Sequence, residues 1–159
     1  HTRLQGDWSS DVCSSDLYQM SSGNIIYLQI GAPEEQYLTN IAWSPDDKFI
    51  LVALVNRDQN EMKLNQYNAA DGSFMKTLFT ENDPQWVEPE NPPHFIPETL
   101  DQFLWQSERN GQNQLYQYDL SGKLIASICA PEMLITDFNG FTDKGDACFV
   151  TTSLIYPTG

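Results

Sequence analysis

The sequence has few basic residues and no long hydrophobic run. Its 159 residues include eight Lys and Arg against 22 Asp and Glu, which gives a net charge of −14. Nucleic acids and other polyanions are bound by basic surfaces, which this composition cannot supply. The longest uninterrupted apolar run, Phe49 to Val55, has seven residues, far fewer than the roughly 20 that cross a bilayer as a helix. We therefore expect no nucleic-acid partner and no membrane span in this chain.

Residues that commonly perform chemistry are also scarce. The chain has two histidines and three cysteines, and it contains no G-x-S-x-G, H-E-x-x-H, G-x-x-x-x-G-K-[ST] or C-x-x-C motif. His94 follows two prolines at the start of a β-type segment, a context that favours a structural role. Cys129 and Cys148 are interpreted as free thiols, because two cysteines without a second pair are a weak metal or disulfide signal. The sequence predicts no catalytic residue, no metal and no cofactor in this chain.

The first 17 residues differ in character from the rest. Asp7 to Leu17 reads DWSSDVCSSDL, which resembles the in-frame translation of a common sequencing-library adaptor, and His1 to Arg3 matches the upstream arm of that adaptor. We interpret residues 1–17 as adaptor-derived and disordered, and we expect the natural N-terminus to be missing. Without this segment 19 acids face seven bases, so the acidity belongs to the remaining chain.

Short β-type runs alternate with turn signals through the remaining chain. The runs are rich in branched and aromatic residues and have the length of strands, as in Phe49 to Val55 and Leu115 to Tyr118. Turn signals such as Asp71-Gly72 and Asn110-Gly111 separate them. No window sustains the apolar periodicity of a helix. The sequence therefore predicts an all-β fold.

A pattern with a period of about 50 residues recurs along the chain, and each copy reads as four strands. The residue pairs that align at this spacing are Trp43 with Phe95, Pro45 with Pro97, Arg57 with Arg109, Asn60 with Asn113, Met62 with Leu115, Tyr67 with Tyr118, and Gly72 with Gly122. Four-stranded units that repeat every 40–50 residues are typical of a β-propeller. Such sheets gain stability by stacking on their neighbours.

We therefore predict an incomplete β-propeller built from four-stranded antiparallel blades. Two blades are complete, at about 38–79 and 93–128. Two are partial, at about 18–30 and 135–153. Residues 18–159 would form one fragment of a propeller domain.

Two arginines and two asparagines are candidate structural residues of the blade turns. Arg57 and Arg109 occupy the same place in both copies, and Asn60 and Asn113 follow them. The guanidinium fork can bind several turn carbonyls or a carboxylate at once. A residue that recurs once per blade is better explained by a structural role than by a single ligand site.

The segment Glu81 to Pro93, with the sequence ENDPQWVEPENPP, is the most unusual stretch of the chain. Its four prolines restrict it to extended and turn conformations, and Trp86 lies near its middle. A stiff loop that presents an aromatic side chain can contact a ligand or a partner domain. The alternative is that Trp86 fills the interface between two blades.

Four strings carry a resemblance to a known family, and together they cover nearly all of residues 18–153. They resemble the β-propeller domain of the dipeptidyl peptidase IV branch of the prolyl oligopeptidase (S9) family of serine peptidases, bacterial members most closely. The strings are YLTNIAWSPDDKFI at 37–50, NRDQNEMKLNQYNAADG at 56–72, WVEPENPPHFIP at 86–97 and QFLWQSERNGQNQLYQYDLSGKLI at 102–125. The family pattern S-E-R-D-G-x-x-H-L-Y-x-Y-D differs here at Asn110 and Gln114.

The resemblance implies a propeller that restricts substrate access to an α/β-hydrolase domain elsewhere in the same parent chain. The serine triad of that domain releases N-terminal dipeptides with Pro or Ala in second position, so this chain alone is expected to be inactive. Trp86 and Glu88 are implied to contact peptide substrates. A periplasmic or secreted location and a homodimer of the parent are further expectations.

The alternative function is a stand-alone β-propeller that serves as a protein-interaction scaffold. The reading frame beyond Gly159 distinguishes the two, because only the peptidase requires a downstream G-x-S-x-G followed by Asp and His.

Overall fold

Every regular element of the structure, a computed structural model that describes residues 16–31 and 36–154, is a β-strand. In chain order the strands are β1 (Asp16–Tyr18), β2 (Ile25–Tyr27), β3 (Gln36–Trp43), β4 (Phe49–Asn56), β5 (Glu61–Asn68), β6 (Phe74–Asn82), β7 (His94–Phe95), β8 (Gln102–Ser107), β9 (Gln114–Asp119), β10 (Leu124–Ser127), β11 (Met133–Phe141) and β12 (Cys148–Leu154). The described ranges contain no helix that is long and apolar enough to cross a membrane.

The strands form two complete blades flanked by two strand pairs. The first blade has the order β3-β4-β5-β6, and the second blade has the order β7-β8-β9-β10. β1 pairs with β2 to form the N-terminal strand pair, and β11 pairs with β12 to form the C-terminal strand pair. All neighbouring strands are antiparallel. The predicted all-β, incomplete propeller with two full and two partial blades is confirmed.

The segment interpreted as adaptor overlaps the first strand by two residues. Residues 1–15 lie outside the described residues. Asp16 and Leu17, which were predicted to belong to a disordered segment, instead lie in β1 and pair with Tyr27 and Ile26. Leu17 also packs against the core between the N-terminal strand pair and the first blade. This apolar contact stabilises the ordered strand. The adaptor origin of residues 1–17 stays a prediction.

Strand β4 is buried on both of its faces. Phe49, Leu51, Ala53 and Val55 point towards the second blade, where they join one apolar cluster. The alternate residues of β4, from Ile50 to Leu54, join a different cluster with Leu28 of the preceding segment. Successive strand side chains point to opposite faces of a sheet, so a blade packed on both sides needs an unbroken apolar strand. This explains the seven-residue run from Phe49 to Val55.

Aromatic side chains fill most of the contact between the two blades. Phe79 of the first blade stacks on Tyr118 with ring centroids 4.3 Å apart and meets the edge of Trp105 at 5.8 Å. Phe49 meets Phe95 edge to face at 6.1 Å. Offset and edge-to-face aromatic pairs contribute about 0.5–1.5 kcal/mol each beyond the burial of their area. The blades are therefore held together mainly through this shared core.

Glycine allows neighbouring blades to approach closely at two equivalent turns. Gly72 and Gly122 both have positive φ, at 72° and 86°. A Cβ atom on Gly72 would lie 2.2 Å from the backbone oxygen of Tyr27, and one on Gly122 would lie 1.9 Å from that of Leu78. In both cases the neighbour belongs to the last strand of the preceding sheet or pair. The repeated glycine is thus explained by blade packing as well as by turn conformation.

His94 lies at the contact between the second blade and the C-terminal strand pair. Its ring stacks on Phe138 of β11 with centroids 4.1 Å apart. The buried Nε2 atom has no hydrogen-bond partner in the part of the chain that the structure describes. Burial lowers the pKa of His94 below its ordinary value, because a charged imidazole would lose its hydration there.

The close approach at Gly122 predicts a position-specific effect of adding one methyl group. We expect Gly122→Ala to lower the free energy of unfolding by about 1–3 kcal/mol more than Gly111→Ala does, because its Cβ overlaps fixed backbone. Gly111 is a matched control, since it has a φ of 77° but no atom within 4 Å of the position that a Cβ would occupy. Urea unfolding of the two variants measures this difference. Equal losses in both would contradict the packing explanation.

The half-buried imidazole of His94 predicts that the free energy of unfolding depends on pH. The folded state binds the His94 proton more weakly than the unfolded state, so protonation favours unfolding. We expect the free energy of unfolding to fall as pH drops from about 7.5 to about 5.5, through the ordinary histidine value of 6.5. His94→Phe keeps the stack on Phe138 and should show a flatter profile over this interval. Urea unfolding at each pH measures the free energy of unfolding of both proteins. An identical pH dependence in the two would show that His94 is not the group responsible.

Candidate functional site

The segment between the two blades is held by the β4–β5 turn of the first blade. It leaves β6 after Asn82 and enters β7 at His94. The amide of Asp83 donates to the carbonyl oxygen of Asn60 at 3.1 Å, and the amide of Val87 donates to that of Gln59 at 2.7 Å. These bonds fix the first half of the segment, which we call the interblade loop (residues 83–93).

Side-chain amides hold the second half of the interblade loop. Asn40 Nδ2 donates to the carbonyl oxygen of Pro89 at 2.8 Å, and Asn113 Nδ2 donates to Glu90 Oε2 at 2.8 Å. Asn40 lies at a register shift of β3 and has a φ of 53°, a conformation that Asn tolerates better than most residues. Because Asn40 and Asn113 belong to different blades, both blades position the loop.

Trp86 is presented at the surface of the interblade loop. Its side chain is 60% exposed, whereas its neighbour Val87 packs against the core between the blades. The alternative that Trp86 fills the blade interface is therefore wrong, since Val87 takes that place. Trp86 is left with an indole face open to a ligand or partner.

Arg109 lies in a hydrogen-bonded network that joins the two blades. Its guanidinium bonds to Glu81 of the first blade and to the hydroxyl of Tyr118. Glu81 also accepts hydrogen bonds from Trp105 Nε1 and from Ser107 Oγ, both at 2.8 Å. The side chain of Glu81 is 11% exposed and that of Arg109 is 26% exposed. Every polar partner here is satisfied, which is the condition under which a poorly hydrated ion pair stabilises a fold.

Aromatic rings surround the Arg109 guanidinium. Its Cζ atom lies 4.2 Å from the ring centroid of Tyr116, 5.5 Å from that of Tyr118 and 5.9 Å from that of Phe79. Burial raises the pKa of the Tyr116 hydroxyl, and the Arg109 charge opposes part of this shift. Ring faces attract a cation within about 6 Å, so this setting holds Arg109 in place by packing as well as by charge.

Arg57 and Arg109 are not equivalent, although the repeat placed them together. Arg57 forms no ion pair within the described residues, and its guanidinium carbon lies 5.9 Å from the ring centroid of Tyr37. The two turns differ in length, with four residues (57–60) between β4 and β5 and six (108–113) between β8 and β9. Both arginines lie in the turn between the second and third strands of their blades, but of the two only Arg109 forms an ion pair among the described residues.

A pocket of about 410 Å³ lies between the interblade loop and the β8–β9 turn. It brings together Trp86 and Glu88 with Arg109, while Arg57, Asn60 and Asn113 do not line it. Several wall residues were not predicted from the sequence, and they include Glu81, Gln106 and Glu108. The pocket offers carboxylates, an amide and an indole, which are groups suited to binding. The described residues contain no cluster of three or more His, Cys, Asp or Glu that could hold a metal ion.

Comparison with known proteins identifies the same architecture. Residues 9–158 match the family described as the dipeptidyl peptidase IV (DPP IV) N-terminal region. The crystal structure of a candidate dipeptidyl aminopeptidase IV from Bacteroides ovatus ATCC 8483 is 33% identical in sequence, with a TM-score of 0.83 over 87% of this chain and 22% of that chain.

Two more distant structures share the fold. Porphyromonas gingivalis dipeptidyl peptidase 4 is 21% identical, with a TM-score of 0.69 over 83% of this chain and 19% of that chain. A structure from a study of two prolyl endopeptidases is 16% identical, with a TM-score of 0.54 over 83% of this chain and 21% of that chain. This chain therefore spans about a fifth of the length of these solved relatives.

The network around Arg109 predicts that the two arginines differ in their contribution to stability. We expect Arg109→Leu to lower the free energy of unfolding by about 2–3 kcal/mol, because Glu81 keeps a poorly hydrated charge without its cation. Arg57→Leu removes an exposed arginine and should change it by less than about 0.5 kcal/mol. Urea unfolding of both variants checks this. Similar values for the two would show that the Glu81 contact contributes little.

Proposed function

This chain belongs to the dipeptidyl peptidase IV N-terminal region family, and we propose that it is a non-catalytic, substrate-gating part of the propeller of an S9 serine exopeptidase. The parent enzyme would release dipeptides with Pro or Ala in second position from peptide N-termini. The 33% identity to the Bacteroides ovatus protein over 87% of this chain supports the family relationship. The chemistry would come from a hydrolase domain in the same parent chain.

One observation carries the gating proposal. Trp86 and Glu88 lie on the wall of a pocket and project from a loop that both blades hold by hydrogen bonds. A rigid loop loses little conformational entropy when a ligand binds, so its side chains can select a substrate at low cost. We propose that these two residues contact peptide substrates as they pass the propeller.

The location and assembly of the parent are further proposals that rest on the same family relationship. We propose a periplasmic or secreted enzyme, in keeping with its bacterial relatives, and a homodimer of the complete protein. We also propose that Asn60, Asn113 and the two arginines serve the structure of the blade turns. For Arg109 this is supported by the ion pair with Glu81.

The test uses the complete protein that contains this chain. We expect a fluorophosphonate probe, which labels activated serines, to label it, and we expect it to release Xaa-Pro dipeptides from chromogenic substrates. A complete protein that is neither labelled nor active would support the scaffold alternative and reject the peptidase.

The contribution of Trp86 is tested by the dependence of KM on substrate length. Trp86→Ala should raise KM for longer peptides about three- to tenfold, as expected for loss of one aromatic contact. It should leave kcat and the short chromogenic substrates unchanged. Trp86→Phe keeps a ring and should retain most of the effect. An unchanged KM for every peptide length would remove Trp86 from the proposed substrate path.

A further inference from the structure

The pocket beside the interblade loop carries an excess of negative charge. Four carboxylates line it, from Glu81, Asp83, Glu88 and Glu108, against the single cation of Arg109. Arg109 is already paired with Glu81. Among the described residues, no other Lys or Arg forms an ion pair with a pocket carboxylate. Three negative charges therefore line the pocket without an ion pair to a Lys or Arg of the described residues.

A buried amide on the pocket wall lacks a partner. Gln106 is 2% exposed, and its Oε1 atom accepts a hydrogen bond from Asn91 at 2.8 Å. Its Nε2 atom has no acceptor anywhere in residues 16–31 or 36–154. Buried polar groups in proteins are almost always hydrogen-bonded. Gln106 lines the pocket, so an acceptor that enters with a ligand, such as a peptide carbonyl, could satisfy this donor.

Trp86 adds an apolar surface next to this charge. Its indole is 60% exposed and lies on the same wall as Glu88. The long aliphatic stem of Lys or Arg packs well on an aromatic ring while its head remains charged, and the ring face attracts that charge. The volume of about 410 Å³ lies within the range of small-ligand pockets and accommodates one such side chain with its backbone.

We propose that this pocket binds a lysine or arginine side chain of an extended peptide. The cationic head lies near Glu88 and Glu108, the stem lies along Trp86, and a backbone carbonyl of the peptide accepts from Gln106. This inference rests on the proposed function, in which the loop contacts peptide substrates. It adds that the bound residue of the peptide is positively charged. It makes the acidic interblade loop a specificity element for basic peptides.

The experiment measures binding of short capped peptides to the complete protein by isothermal titration calorimetry. One peptide has a central lysine among alanines, and the other has norleucine in that position. Acetyl and amide caps remove the terminal charges, so the side chain supplies the only cation and an exopeptidase has no free N-terminus to act on. We expect the lysine peptide to bind about tenfold more tightly than the norleucine peptide, from one partly hydrated ion pair and one cation–π contact.

Paired variants separate the pocket from the general acidity of the chain. Glu88→Gln with Glu108→Gln should reduce the preference for lysine to less than about threefold, and Trp86→Ala should weaken binding of both peptides. Glu132→Gln with Asp143→Asn removes the same charge at exposed positions that do not line the pocket, and it should leave the preference unchanged.

Three outcomes would overturn the inference. These are equal affinity for the two peptides, an equal loss in both pairs of variants, or a preference that persists in the pocket variant. A preference for lysine that is lost equally in both pairs reflects the net charge alone. The proposed function fails separately, because its test is serine labelling and the effect of Trp86→Ala on KM for uncapped peptides. Equal binding of lysine and norleucine with that KM effect intact would reject only the charge preference.

Discussion

The structure depends on burial of each complete blade from both sides. A four-stranded sheet has two faces, and the first blade covers one with the N-terminal strand pair and the other with the second blade. Residues Ile50 to Ala53 of β4 are fully buried as a result. Burial of each large aliphatic side chain contributes about 1.5–3 kcal/mol to the free energy of unfolding. This contribution requires that the neighbouring sheet covers the side chain. The stability of one blade is therefore tied to the next.

Packing between the two blades also determines where the candidate site lies. The interblade loop connects β6, the last strand of the first blade, to β7, the first strand of the second, so blade packing sets the distance that it must cross. Glu81 lies near the end of β6 and meets Arg109 of the second blade, and Asn40 and Asn113 bind the loop from the two blades. Trp86 is exposed because Val87 already occupies the apolar contact. The site is a product of packing between sheets and does not belong to either sheet alone.

Sequence reasoning predicted the blades well because their signals are local. Runs such as Phe49 to Val55 have the length and composition of strands, and the aligned glycines, Gly72 and Gly122, mark the same turn in both blades. These features follow from strand and turn chemistry, which a single sequence carries. The family resemblance drew on the same residues and agrees with the comparisons.

The site was predicted less well because it depends on contacts between blades. Glu81 reads as one more acid in an acidic loop, and nothing local indicates that it pairs with Arg109 twenty-eight residues later. The repeat aligned Arg57 with Arg109, and a period alone does not reveal that of the two only Arg109 forms an ion pair among the described residues. Gln106 reads as a polar residue of a strand, and its unpartnered amide is visible only in three dimensions.

Hydrogen exchange tests the dependence of the blades on one another most directly. Leu51 lies in the core shared by the two blades, so Leu51→Ala removes packing from both, although the substitution is in the first. The account predicts that amides of β8 and β9 lose protection by the same free energy as amides of β4 and β5. Loss of protection confined to the first blade, with the second unchanged, would show that the blades are stable independently and would contradict the account.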